Sequence, residues 1–230
     1  MTRYQLTRKD PRALPAYTIT EVAHYLTVPP ATIRYWSVGR DDYAPLIEVP
    51  RHSPTLLSFL NLTELHVLAA IRRRPLVKMP SIRRAINFLV RNARRAMDKN
   101  HPLISRDLET DGLDLFIQEY GQLINISRSG QIAMREIISG ALTRIHRDPT
   151  GIPIKLFPFT RSAIMGTPTK VIIDPTISAG RPVIAGTGLT AELIAERYKA
   201  GESISALAQD YERTEDDIEE AIRCESQIVA

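Results

Sequence analysis

Tyr17-Thr18-Ile19-Thr20-Glu21-Val22-Ala23-His24-Tyr25-Leu26, followed by Thr27-Val28-Pro29-Pro30 and then by Ala31-Thr32-Ile33-Arg34-Tyr35-Trp36-Ser37, is the stretch on which the fold turns. Thr20 is a candidate N-cap for a short helix with Val22, Ala23 and Leu26 on its apolar side. Pro30 suits the first turn of a new helix and disfavours helical geometry at Pro29, so a tight turn is required there. A second helix over 31–37, ending near Gly39, completes a helix-turn-helix unit. Just beyond, Leu46, Ile47 and Val49 are broken by Pro45, Pro50 and Pro54, which predicts a hairpin where a wing would sit. A third helix is expected over 62–73, with Leu65, Leu68 and Ala69 on one face.

Further along, Ser81 opens an amphipathic pattern with Ile82, Ala85, Ile86, Leu89, Ala93 and Met97 inward and Arg84, Arg91 and Arg95 opposite. Residues 103–108 and 113–117 flank Asp111-Gly112, which reads as a β-hairpin with a type I′ turn, and 123–126 offers a third strand. A helix is expected over 129–147, closed by Pro149 and Gly151, and an extended linker over 152–169. The remainder reads as a strand at Val171-Ile172-Ile173, glycine turns, and three helices capped by Thr190, Ser203 and Thr214. Ile218, Ala221, Ile222 and Ile228 or Val229 would face inward from the last of these. The expected fold class is α+β, mainly α. It comprises a winged helix-turn-helix domain over 1–78, a small α/β middle domain of helix, β-hairpin and helix over 79–151, the linker, and a C-terminal three-helix domain over 170–230.

With 230 residues, 43% of them hydrophobic, the chain can bury a core in each of two or three small domains. The net charge of +4 hides a polarity: ten Lys or Arg against the single acid Asp98 between positions 72 and 99, and nine acids against Arg213 and Arg223 between 202 and 225. The first segment attracts a polyanion and the second repels one. Cys224 is the single cysteine, and the five histidines (His24, His52, His66, His101, His146) stand at no ligand spacing, so neither a metal nor a cofactor is implied. No nucleophile–base pair or phosphate loop is visible, so no catalytic activity is expected. No apolar run approaches the roughly 18 residues of a membrane span, which predicts a cytoplasmic protein.

A recognition helix needs short or hydrogen-bonding side chains at its start and cations nearby. Ala31, Thr32, Arg34, Tyr35 and Arg40 meet that need, and Arg51 and His52 at the hairpin tip, with Arg72 and Arg73, complete the candidate contacts to double-stranded DNA. Trp36 is expected to be packed inside. At the acidic end, Arg181, Asp216, Asp217 and Glu220 are the candidates for binding a protein partner or for dimerisation.

Residues 17–26 with Thr32-Ile33-Arg34-Tyr35-Trp36 resemble the start of the MerR-type winged helix-turn-helix family, and 65–86 is similar to the helix pair that follows its wing. The resemblance implies backbone contacts to operator DNA by Arg34 and Tyr35. Two departures stand out: Ser58-Phe59 replaces the family's Arg-X-Tyr wing motif, and no long dimerising helix follows. Val171-Ile172-Ile173-Asp174-Pro175, Gly180-Arg181-Pro182-Val183-Ile184, Gly186-Thr187-Gly188 and Gly201-Glu202-Ser203 resemble, over 170–223, a bacterial domain of unknown function often found in antitoxins encoded beside PIN-like ribonuclease toxins. The whole layout is similar to long VapB-type antitoxins. It implies an antitoxin that neutralises a PIN-like toxin, binds operator DNA to regulate its own synthesis, and forms a homodimer through its C-terminal domain. The alternative is a stand-alone MerR-like regulator whose middle domain senses a ligand.

Overall fold

The computed structural model describes residues 10–40, 43–73, 79–93, 95–105, 108, 112–124, 128–161 and 166–226. Strand β1 (Tyr17–Thr18) runs into helix α1 (Ile19–Leu26), and α2 (Pro30–Val38) follows after a three-residue turn. The N-cap of α1 is Thr18 and not Thr20. Thr18 is extended, its hydroxyl accepts from the Glu21 amide at 3.2 Å, and the Glu21 carboxylate accepts the Thr18 amide at 2.8 Å. That reciprocal pair requires a Glu three residues after the cap, which Thr18 has. Thr27, left-handed at φ 53°, ends α1, and Pro30 is the first residue of α2.

Strands β2 (Arg51–His52) and β3 (Thr55–Leu57) form a hairpin within the segment expected to hold one, but Leu46, Ile47 and Val49 lie outside its strands, and Arg51 and His52 stand on β2 and not at the tip. β3 also pairs with β1, Tyr17 opposite Leu57, giving a three-stranded antiparallel sheet ordered β1-β3-β2. Helix α3 (Phe59–Arg72) starts earlier than its apolar face suggested, because Ser58 and Asn61 cap each other across the first turn. Every residue from Phe59 to Ile71 is buried. A helix buried on all sides is a central one, and the rest of the molecule is arranged around it. Its single carboxylate, Glu64, is fully enclosed and accepts from His101 Nδ1 at 2.8 Å.

The 81–97 pattern is two helices, α4 (Met79–Asn92) and α5 (Ala96–Asn100). Arg84, Arg91 and Arg95 are all exposed, but Arg95 is extended at the start of α5 and its guanidinium grips the buried Asp98 at 2.6 and 3.0 Å, so its charge is engaged within the chain. Among the described residues the expected middle hairpin does not form. A short 3₁₀ turn occupies Pro102–Ile104, and residues 113–124 form helix α6 (Leu113–Ile124). Leu113, Phe116 and Ile117 are buried, a helical spacing that outweighs the Asp-Gly turn signal. Asp111 and residues 125–126 of the supposed third strand lie outside the described residues, whereas 123–124 are helical. Helix α7 (Arg128–Leu142) stops short of 147, and β4 (Ile145–Arg147) pairs with β5 (Pro153–Leu156), a segment expected to be linker. The middle of the chain is therefore helical, with a two-stranded hairpin at its end, and the mainly-α class holds.

Leu156 exchanges backbone hydrogen bonds with Ile173, at 2.9 and 2.8 Å, leading into β6 (Val171–Ile172), which pairs with β7 (Val183–Ile184). Helices α8 (Ala191–Lys199), α9 (Ile204–Asp210) and α10 (Glu215–Ser226) follow. Thr190, Ser203 and Thr214 cap them as expected, Thr214 exchanging bonds with Asp217. Ile228 and Val229 lie outside the described residues. One apolar core runs from Tyr17 through α7 to Phe159 and Ile173, while Val171, Ile184, Ala191, Ile194, Leu207, Ile218, Ala221 and Cys224 belong to a second.

Candidate nucleic-acid interface

Val22, Ala23, Tyr25 and Leu26 of α1 and Ile33 and Trp36 of α2 are buried together, which fixes the angle between the two helices. The Trp36 carbonyl accepts from the amides of Leu46 and Ile47, and Asn61 Nδ2 donates to the Glu48 carbonyl at 2.8 Å. These bonds tie the segment between α2 and the hairpin to both α2 and α3. Packing inward leaves Ala31 and Arg34 exposed, with Thr32 and Tyr35 half-buried, on the other side of α2.

Gly39 ends α2 with φ +87°, and a Cβ there would meet the Tyr43 carbonyl oxygen at 2.4 Å. The glycine lets the chain fold back at once, so that Arg40 and Tyr43 exchange backbone hydrogen bonds at 3.0 and 2.8 Å. The Tyr43 ring, 55% exposed, stands edge-on to Tyr35 with ring centroids 6.5 Å apart. An open cleft of about 590 Å³ results, lined by Ala31, Arg34, Tyr35, Gly39, Arg40 and Tyr43. Of the residues expected to touch nucleic acid, Arg34, Tyr35 and Arg40 thus share one cleft, with Thr32 on the same helix. Tyr43 was missed in the sequence, where the available signal was an aromatic residue soon after a helix-ending glycine.

Arg51 and His52 are exposed on β2. Arg72 and Arg73 are elsewhere, at the far end of α3, whose 14 residues span roughly 20 Å. Arg73 is turned to internal use: its guanidinium lies 4.8 Å from the Phe159 ring centre and donates to the Arg161 carbonyl at 3.4 Å, and burial lowers its pKa. Phe159 is also stacked on His66, a buried ring held neutral by desolvation with its pKa pushed down to about 3.

The acidic end divides in a similar way. Glu220 is only 2% exposed, accepts from the Thr160 hydroxyl at 2.6 Å and from Arg161 Nε at 2.9 Å, and so faces the molecule's interior and not a partner. Burial pushes its carboxyl up, but the bonds from Thr160 and Arg161 outweigh that and hold it below the usual range. Asp217 likewise pairs with Lys170 at 2.8 Å, and Arg181 with Glu192 at 2.9 Å on the surface. Glu215, Asp216 and Glu219 are the exposed acids of α10. Among the described residues no group of three His, Cys, Asp or Glu side chains is placed to hold a metal ion, and no helix is long and apolar enough to cross a membrane.

Residues 171–223 match the family described as "Protein of unknown function (DUF433)". Over 236 aligned residues the chain is 30% identical to "Putative antitoxin VapB45" of Mycobacterium tuberculosis (strain ATCC 25618 / H37Rv), covering 91% of this chain and 93% of the relative. Among solved structures, the X-ray crystal structure of Rv2018 from Mycobacterium tuberculosis is similar at 27% identity and a TM-score of 0.67, over 91% of this chain and 98% of that one.

Proposed function

We propose that this chain, which belongs to the same family as the mycobacterial protein VapB45, is an antitoxin that binds a toxin protein and its own operator DNA. The observation that carries the reading is the extent of the relationship: 91% of this chain and 93% of the relative are aligned, so it spans both ends of the molecule and not a shared module alone. The toxin is a PIN-like ribonuclease, as the resemblance to long VapB-type antitoxins implies. The antitoxin acts by occlusion and not by chemistry.

The DNA-binding half rests on shape and charge at α1, α2 and the β2–β3 hairpin, a winged helix-turn-helix of MerR-like form. Helix α2 lies in the major groove with Thr32 near base edges, while Arg34, Tyr35 and Arg40 reach phosphates flanking it. Arg51 and His52 extend the contact from the hairpin. The exposed acids of α10 would oppose that polyanion, so the C-terminal unit is assigned to toxin binding and homodimer formation, with Asp216 and the Arg181–Glu192 pair on its surface.

Co-expression with the product of the adjacent gene tests the reading. A stable complex in which ribonuclease activity is suppressed, and which retards a duplex carrying the upstream region, is the expected result. A neighbouring protein that neither associates with this chain nor is inhibited by it would overturn the assignment.

A further inference from the structure

We propose that the contact between α1 and α10 is a pH-sensitive latch, closed when His24 is protonated and loosened when it is neutral. The C-terminal unit has its own apolar core, so its attachment to α1 depends on a few polar links. The Tyr17 hydroxyl donates to the Gly180 carbonyl at 3.1 Å, a close approach that a Cβ on residue 180 would block at 2.1 Å. His24 Nε2 lies 2.9 Å from Glu225 Oε2, with side-chain exposures of 32% and 14%. Farther away, Thr160 and Arg161 hold Glu220.

Only one of these links can change charge near neutral pH. The Tyr17 and Tyr25 hydroxyls and the Cys224 thiol are pushed upward by burial, away from that range. A histidine is the side chain whose ordinary titration falls between pH 5 and 8. Around it stand Glu21 on α1, Arg181 before β7, Glu192 and Lys199 on α8, and Glu225 on α10. Glu21 is engaged with Thr18, and Arg181 and Glu192 neutralise each other. Lys199 opposes the imidazolium weakly. Among the described residues, His24 is therefore the group that balances the half-enclosed Glu225 carboxylate.

The hydrogen bond with Glu225 raises the His24 pKa, more than burial lowers it. The sign follows: closure is favoured at pH values below the free imidazole pKa, and that contribution is lost as pH rises through the closed-state value. Beside the pair a cavity of about 240 Å³ is open to solvent, so once the ring is neutral the Glu225 carboxylate can turn outward and hydrate. The last turn of α10 then separates from α1 while Glu220 keeps its hold on the 160–161 segment. The proposal stands apart from the antitoxin reading, since it concerns contacts within one chain.

The full-length protein provides the test in two measurements. NMR titration of the His24 ring should give a midpoint above the unperturbed value of about 6.5, shifting down in Glu225→Gln. Cys224, the single thiol, is buried one residue from Glu225. Its modification rate by 4,4′-dithiodipyridine should be several-fold lower in the wild type than in His24→Gln at pH 5.5, and the two should converge by pH 8.5. Taking the ratio at each pH cancels thiolate chemistry, and circular dichroism verifies folding of the variants. A midpoint at or below about 6.5, one unmoved by Glu225→Gln, or a rate ratio independent of pH overturns the latch. If His24→Gln does not fold, the titrations of the wild type and Glu225→Gln decide alone.

Discussion

Two side chains show how position converts the same kind of charge to different ends. Arg34 projects from α2 into the open cleft, whereas Arg73, also expected to reach DNA, is folded over Phe159. Replacing Arg34 with Ala should weaken duplex binding across sequences and lower the slope of log affinity against log salt by about one, as expected for one lost phosphate contact. Titration of fluorescent duplexes at several salt concentrations measures this, and an unchanged slope would show that the residue does not touch phosphate. Asp148 works on stability instead. It accepts from the Thr150 amide and hydroxyl, the Ile152 amide and, at 2.6 Å, Arg12, closing the β4–β5 turn onto the amino-terminal segment. Burial alone would raise its carboxyl, but the bonds from Thr150 and Arg12 prevail and hold it at about 2. A depressed folded-state pKa means that this stabilisation is complete above the unfolded value of about 4 and disappears as pH falls toward 2. Asp148→Asn keeps an acceptor for the turn but loses the ion pair. Urea denaturation should find it less stable at pH 7 by about 1 kcal/mol, with the gap to the wild type closing in acid.

At the level of elements, Arg144 makes the most of a single side chain. It is nearly enclosed and donates to the carbonyls of Phe157, Pro158, Thr167 and Pro168, so one guanidinium ties both ends of the intervening segment together. A lysine offers three donors from one point and cannot span four carbonyls in a fork. Arg144→Lys should therefore cost about 2–4 kcal/mol in chemical denaturation, and a loss under 1 kcal/mol would mean that the segment holds itself. Nothing in the sequence announces this role, because the partners are backbone carbonyls whose positions depend on the tertiary fold. Where local chemistry decides, the sequence was readable: the proline-marked turn before α2, the capping residues Thr190, Ser203 and Thr214, and packed Trp36 all stand where residue pattern placed them. Residues 103–117 were not readable in the same way. Leu113, Phe116 and Ile117 carried a helical spacing too short to prevail over Asp111-Gly112, and α3 hid its start because its polar residues Asn61, Thr63, Glu64 and His66 are buried along with its apolar ones, so no solvent-facing stripe marks where the helix begins. Similarly, β4 and β5 are too short to show alternation and exist by pairing with each other. In the candidate interface, Arg34 and Tyr35 were legible from their place on α2 and Arg40 from its place just beyond the helix end, while Tyr43 depends on the reversal at Gly39.

On the scale of the whole molecule, charge and packing divide the chain differently. Charge separates a cationic first half from an acidic last quarter. Packing joins α1–α3 to α4–α7 in one core and leaves only β6, β7 and α8–α10 with a core of their own. Among the described residues, hydrogen bonds attach the acidic unit through Ile173 on Leu156, Gly180 and Glu225 on α1 and its preceding strand, and Glu220 on Thr160 and Arg161, with Lys155 beside Asp174 next to the first of these. None of these places is the cleft on α2 or the exposed face of β2. Removing residues 170–230 should thus leave the remaining fragment folded but less stable, since Ile173 and the Gly180 contact are lost from the edge of the larger core. Its intrinsic affinity for operator duplex should stay within a few-fold of the full-length monomer, and removal of repelling acids should favour binding at low ionic strength. Association with a toxin and with a second copy should vanish, as read by analytical ultracentrifugation and pull-down. Should the fragment be folded by circular dichroism yet ignore duplex DNA, while an isolated 170–230 unit bound it, the two ends of the molecule would have to exchange their assigned roles.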